Sequence, residues 1–136
     1  MRIAALDVGD ARIGVAVSDE LGLTARGIGV VKRVGGRRDL EALANILAPF
    51  APVRLVVGLP LNMDGSEGPR ATKTRVFGDK AAVHLALPVE FIDERLTTVE
   101  AEERLRAAGL RGQRLKAVVD QEAAAIILED FLASRR

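Results

Sequence analysis

An apolar run that ends in a carboxylate opens the chain. Residues 2–8 carry Asp7 near their end, Gly9-Asp10 supplies a turn, and residues 12–18 form a second apolar run. Two β-rich runs joined by a Gly-Asp turn read as a hairpin. The fold must therefore place an acid where a strand leaves the middle of a sheet. Such a position does little for surface solubility. It suits a metal ion, or the cation that accompanies a phosphate, and the partners of Asp7 decide what the site does.

The rest of the chain extends that sheet. Residues 24–32 read as a third strand. Residues 38–48 change to helical spacing, with Leu40, Leu43, Ala44 and Leu47 on one face, and Pro49 and Pro52 bracket the exit. Residues 53–59 are a short apolar run, as expected of a strand buried on both faces. A loop rich in turn formers, residues 60–68, leads to Pro69, which suits the first turn of a helix running to about Leu85. Residues 88–93 make a fifth strand. A helix from about Thr98 to Ala108 follows, with Thr97 and Glu100 at capping-box spacing and Gly109 at its end. Ala117 to Ala133 forms the last helix. The order β-β-β-α-β-α-β-α-α predicts an α/β fold: a mixed five-stranded sheet, three antiparallel strands and then parallel ones, with helices on both faces. A chain of 136 residues without linker or repeat is expected to form one domain, 1–136.

Composition narrows the chemistry. Cysteine is absent and His84 is the only histidine, so thiol catalysis, cysteine-bound zinc and His-rich metal sites are excluded. His84 has no flanking signature and reads as an ordinary helix residue. Acid–base or metal chemistry must come from carboxylates. No apolar stretch reaches the ~18 residues of a membrane span, and no signal-peptide pattern begins the chain, so a cytoplasmic protein is expected. Net charge is only +1, yet sixteen of the 20 basic residues are arginine, whose planar fork grips phosphate in two places. They cluster with lysine at Lys32, Arg33, Arg37 and Arg38, at Arg70, Lys73 and Arg75, and at Arg111, Arg114 and Lys116. With no Trp or Tyr, a base-stacking platform is not expected, and nucleic acid would be held mainly by its backbone.

Three acidic positions stand out. Asp7 closes the first strand, and Asp93-Glu94 closes the fifth in the same manner. Alternation along a strand sends Asp93 and Glu94 to opposite faces, so one of them shares a site with Asp7. Asp120 lies in helical line with Ala124, Ile127, Leu128 and Phe131, on the face toward the sheet, where a carboxylate is costly unless paired or bound to metal. Glu122 and Glu129 fall on another side and read as solvated. Each acid also has an ordinary reading: a hairpin cap for Asp7, a pair with Arg95 for Asp93 or Glu94, a first-turn dipole partner for Asp120. Together they favour one shared site. Carboxylates with open positions suit one or two Mg²⁺ or Mn²⁺ ions, and two such ions about 4 Å apart can activate water against a phosphodiester.

These residues resemble a known family. Asp7-Val8-Gly9 with Arg12-Ile13-Gly14-Val15-Ala16-Val17-Ser18-Asp19 looks like the opening motif of the YqgF/RuvX family, whose members are named as pre-16S rRNA nucleases or Holliday junction resolvases. Gly58-Leu59-Pro60-Leu61-Asn62-Met63-Asp64-Gly65-Ser66 resembles its second signature, and Asp93-Glu94-Arg95-Leu96-Thr97-Thr98 its third. Asp120, with Ala123-Ala124 and Ile127-Leu128, resembles the fourth. The resemblance implies an RNase H-like fold and metal-dependent cleavage of structured nucleic acid. It implies that Asp7, Glu94 and Asp120 are the catalytic acids and metal ligands, with Asp93 as an accessory acid. It also implies substrate contacts from Arg12, Asn62, Gly65, Ser66, Arg70, Arg95, Thr97 and Thr98, joined by the basic segment of Arg111, Arg114 and Lys116.

The reading is a nuclease acting on precursor 16S rRNA, as a monomer or a homodimer. One alternative is a junction resolvase acting on branched DNA. Another is an actin-like ATPase relative, since a strand–Asp-x-Gly–strand hairpin also opens nucleotide-binding folds; one domain, however, falls short of the two that close around a nucleotide there. A third is a non-catalytic RNA-binding module.

Overall fold

The computed structural model describes residues 1–94 and 97–135; for residues 97–99, 113, 114, 116 and 117 the backbone alone is described. Strands β1 (Ile3–Val8), β2 (Arg12–Ser18) and β3 (Ala25–Lys32) form an antiparallel meander. Helix α1 (Arg37–Leu47) and a 3₁₀ turn at Ala48–Phe50 lead to β4 (Arg54–Leu59), which pairs parallel with β1. Helix α2 (Pro69–Leu85) leads to β5 (Val89–Asp93), parallel with β4, and α3 (Thr97–Ala107) and α4 (Gly112–Ser134) end the chain. The strand order is β3-β2-β1-β4-β5, so β1 is central and Asp7 leaves the middle of the sheet.

Alternation splits the sheet into two cores. Leu6, Val8, Ile13, Val15, Leu55 and Val57 face α1 and α2, meeting Leu43, Leu47, Phe77 and Ala81. Ala5, Ala16 and Val56 face the other way, onto Ala124, Ile127, Leu128 and Phe131 of α4. Each fully buried aliphatic side chain removes apolar surface worth about 1.5–3 kcal/mol, so both faces have to be covered. Helix α3 packs outside α4, where Ala101 meets Ala123 and Ile126. The expected architecture is therefore present, with helices on both faces. Gly109 ends α3 as its sequence position suggests: at φ 93° it donates to the Arg106 carbonyl, and Leu110 N–H reaches the Leu105 carbonyl.

The sequence reading departs from the structure in four places. Helix α4 begins at Gly112, not at Ala117. Leu115 is buried and extends the apolar spacing backward through Val119, so the segment carrying Arg114 and Lys116 is the opening of the helix and not a loop. Asp120 accordingly lies two turns inside α4, which removes its reading as a first-turn dipole partner. Glu122 and Glu129, expected to be solvated, are both held by Arg104 of α3, at 3.0 and 3.1 Å, so they tie the two helices together. Thr97 falls inside α3 and does not precede it as a cap. Among the described residues, no helix is long and apolar enough to cross a membrane.

Candidate active site

The site lies at the C-terminal ends of β1, β4 and β5, on the face covered by α4. Asp7 shares a face with Ala5, which packs on α4, and it stands opposite Gly14 in the β1–β2 register. Continuing the β1–β4 register one step past Leu6–Val57 sets Asp7 beside Gly58 on its other side. The acid is thus flanked by a glycine in each neighbouring strand.

Both glycines are spaces that something else fills. A Cβ at Gly14 would stand 1.9 Å from the backbone oxygen of Asp120, and one at Gly27 2.8 Å from that of Gln121. These two positions let the α4 backbone settle onto β2 and β3 at the level of Asp120. A Cβ at Gly58 would stand 2.8 Å from Glu94 Oε2 and 2.6 Å from Ile127 Cδ1. The Glu94 carboxylate therefore lies over Gly58, next to Asp7. Glycine within a strand often marks such a close approach. Glycines at positions 14 and 58, inside otherwise apolar strands, are the sequence signal of that approach.

Of the neighbouring acids, Glu94 meets Asp7, and the exposed Asp93 acts on Glu94 through its charge. Glu94 N–H donates to the Leu59 carbonyl at 3.1 Å, prolonging the β4–β5 ladder by one residue. Phe91 belongs to the α2-side core and Ile92 to the α4-side core. Alternation then sends Asp93 toward the α2 side, exposed, and Glu94 toward Asp7.

Asp7 and Glu94 are hydrogen-bonded to each other. Burial and the Asp7 charge beside it push the Glu94 carboxyl up to about 9, and burial raises Asp7 as well, with the Asp120 charge adding to the effect. Without a cation the pair holds a proton more readily than separated carboxyls would, because two close carboxylates cannot both be charged cheaply in a half-buried site. The Arg70 charge acts on both in the opposite direction.

Asp120 is near this pair but engaged elsewhere. Arg12 Nε donates to Asp120 Oδ2 at 2.7 Å, a bond that also holds the guanidinium proton more tightly than usual. Among the described residues, no group of three acidic or histidine side chains is placed to hold one ion. The structure therefore joins two of the three expected acids directly and sets the third alongside, paired with arginine. The donor set fits a hard divalent cation: carboxylate oxygens, one close pair of which favours a proton, with a cation able to replace that proton.

The remaining expected residues divide clearly. The loop of Asn62, Gly65 and Ser66 is organised on itself. Asn62 Nδ2 donates to Ser66 Oγ at 3.0 Å, Ser66 N–H and Oγ–H donate to Asp64 Oδ1 at 2.9 and 2.6 Å, and Gly65 has φ 88°. It connects β4 to the start of α2, where the charge of the exposed Arg70 acts on both acids. Arg111 Nη1 donates to the Arg106 and Leu110 carbonyls, at 2.8 and 2.7 Å, closing the end of α3. Arg95 lies outside the described residues, as do the side chains of Thr97, Thr98, Arg114 and Lys116.

The RuvX family model, described as Holliday junction resolvase, matches residues 1–134. A protein of Symbiobacterium thermophilum named "Putative pre-16S rRNA nuclease" is 49% identical over 135 residues, covering 99% of this chain and 94% of its own. One of the same name from Myxococcus xanthus is 49% identical over 136 residues, covering 100% and 90%. Among solved structures, Thermus thermophilus RuvC in complex with a Holliday junction substrate matches with a TM-score of 0.58 at 19% identity, over 99% of this chain and 95% of that one. The Fowlpox virus resolvase bound to junction DNA matches with a TM-score of 0.58 at 11% identity, over 99% of both. At these identities the solved structures speak for the fold alone, an RNase H-like one.

Proposed function

Because this chain belongs to the RuvX family, we propose that it is a divalent-metal-dependent nuclease that hydrolyses phosphodiester bonds of structured nucleic acid, with trimming of the 16S rRNA precursor as its task. One observation carries the site assignment: the Glu94 carboxylate lies over the gap left by Gly58, beside Asp7 at the C-terminal edge of the sheet, where burial and the neighbouring charge raise both carboxyls. A carboxyl pair that must bind a proton or a cation is the kind of donor set on which a metal nuclease depends. Pre-rRNA as substrate is supported by the names of the relatives, and the cytoplasm is the compartment this reading requires.

Asp7 and Glu94 would hold Mg²⁺ or Mn²⁺, with Asp120 joining them once Arg12 releases it. A bound divalent ion supplies charge stabilisation to the attacking and leaving oxygens of an in-line displacement. The protein supplies position. Arg70, already within electrostatic reach of the acids, orients the scissile phosphate, and Arg12 takes a flanking phosphate when it leaves Asp120. The glycines hold the carboxylates at a fixed separation, so little reorganisation remains for the reaction itself.

A second reading, junction resolution, is favoured by the description of the family model. One assay separates them: cleavage of pre-16S rRNA fragments, linear single strands and four-way DNA junctions in Mg²⁺, Mn²⁺ or EDTA. The comparison is between wild type, Asp7→Asn and Glu94→Gln. Pre-rRNA cut only with metal and only by wild type is the expected result. Cleavage that persists in EDTA, or in either variant, overturns the site. Preference for the junction replaces the substrate and leaves the site standing.

A further inference from the structure

The sheet edge has a second side. Val8 points away from Asp7, into the space between the hairpin, α1 and α2, where a cavity of about 550 Å³ opens. That size suits one nucleotide. Its walls are built differently from the acidic site: Val8, Leu40 and Phe77 make an apolar floor, and cations stand around the rim.

The charge balance points to an anion. Arg33 is neutralised where it stands. Its guanidinium lies 4.8 Å over the Phe77 ring, donates to the Gly9 carbonyl at 2.9 Å, and meets the buried Asp39 at 3.4 Å. Asp39 in turn accepts from Val34 and Gly35 N–H. That clip fixes the floor and leaves Arg70, Lys73 and Lys80 as exposed cations of the lining, joined by Arg37, which pairs with Glu41 at 3.8 Å, against the exposed Asp10. Arg70, Lys73 and Lys80 fall at i, i+3 and i+10, one face of α2, with Phe77 between the lysines. The stripe is about 15 Å long, long enough to follow about three successive phosphates of a strand.

Arg70 connects the two sides. It lines this cavity, and its charge also reaches Asp7 and Glu94. Between them the rim is Gly9, which carries no side chain to obstruct a strand crossing the edge.

We propose that this cavity receives an unpaired nucleotide of the substrate strand next to the scissile phosphate. Its base lies against Val8, Leu40 and the Arg33–Phe77 stack, and its phosphates lie along Arg70, Lys73 and Lys80. The inference rests on the nucleic-acid reading above and adds a specific demand: the enzyme needs one unstacked base beside the cut.

The test is binding, measured in EDTA so that cleavage is halted. Single-stranded RNA and DNA oligonucleotides each carry one 2-aminopurine, moved position by position. One or two adjacent positions should change fluorescence at least twofold on binding. Removing the base at those positions should weaken binding about fivefold or more. Lys80→Glu and Arg37→Glu, both exposed, should erase the positional signal and weaken binding about tenfold. Arg38→Glu, the same charge change on α1 outside the cavity, should retain the signal. Equal response at every position, or identical losses for all three reversals, overturns the pocket. The nuclease reading fails separately. Positional binding without cleavage of any nucleic acid sinks that reading and keeps the pocket, and metal-dependent cleavage with flat positional binding does the reverse.

Discussion

The backbone carbonyl of Asp120 occupies the space into which a side chain at Gly14 would project, with a Cβ there standing 1.9 Å away. Helix and strand cannot move apart without lifting Asp120 from the level of Asp7. Gly14→Ala is therefore expected to destabilise the protein by about 3 kcal/mol, the upper range for overpacking, because a backbone oxygen offers no alternative rotamer. Cleavage should fall with it. Urea denaturation checks the first effect. A Gly14→Ala protein as stable as wild type would mean that α4 is free to shift.

The raised carboxyls of Asp7 and Glu94 make stability depend on pH. Glu94 titrates near 4.5 when unfolded and at about 9 when folded. Between those values the folded, metal-free protein holds more protons than the unfolded chain. Stability should then fall as pH rises through that window, with a slope of at most about 1.4 kcal/mol per pH unit for one proton. Denaturation midpoints in EDTA at several pH values give the slope. Glu94→Gln should flatten it, and a slope unchanged in that variant would place the proton elsewhere.

Metal acts on the same linkage with opposite sign. A cation entering between Asp7 and Glu94 displaces the proton, so its binding should tighten as pH rises, by up to tenfold per unit for one proton released. Thermal unfolding in Mg²⁺ or Mn²⁺ should show a stabilisation that grows with pH and vanishes on chelation. Asp7→Asn should keep its fold and lose both the stabilisation and the cleavage. Stabilisation that persists in Asp7→Asn would put the ion at another site.

Much of this site was legible in the sequence, and what was not has a physical reason. Asp7 could be placed because an apolar run and a Gly-Asp turn leave few choices for the end of a strand. Two-residue alternation separated Asp93 from Glu94 before any register was known, though only the register over Gly58 shows which one meets Asp7. The start of α4 is hidden in the sequence because basic residues around Leu115 mask an apolar spacing that continues through it. The Arg12–Asp120 bond joins residues 108 positions apart, and no local pattern carries that information. The cavity behind Val8 is likewise a product of packing, since its cations come from α1 and α2 and its floor from β1, α1 and α2.

The Arg12–Asp120 pair leads to a prediction with two opposite signs. Arg12 is exposed and holds Asp120 Oδ2 at 2.7 Å, so in the absence of nucleic acid it competes with any cation for that carboxylate. Arg12→Ala removes the competitor. An exposed pair contributes little, so the metal concentration for half-maximal cleavage should fall by only about twofold to fivefold. The same substitution removes a phosphate contact, so KM for nucleic acid should rise and the salt dependence of binding should lose about one unit of slope. Arg12→Lys should restore the salt slope without restoring the bond in full, since a point charge lacks the guanidinium fork. Metal titrations of cleavage at saturating nucleic acid, read beside binding curves at several salt concentrations, separate the two effects. If the metal midpoint and KM both rise in Arg12→Ala, the arginine supports the acid and does not compete for it.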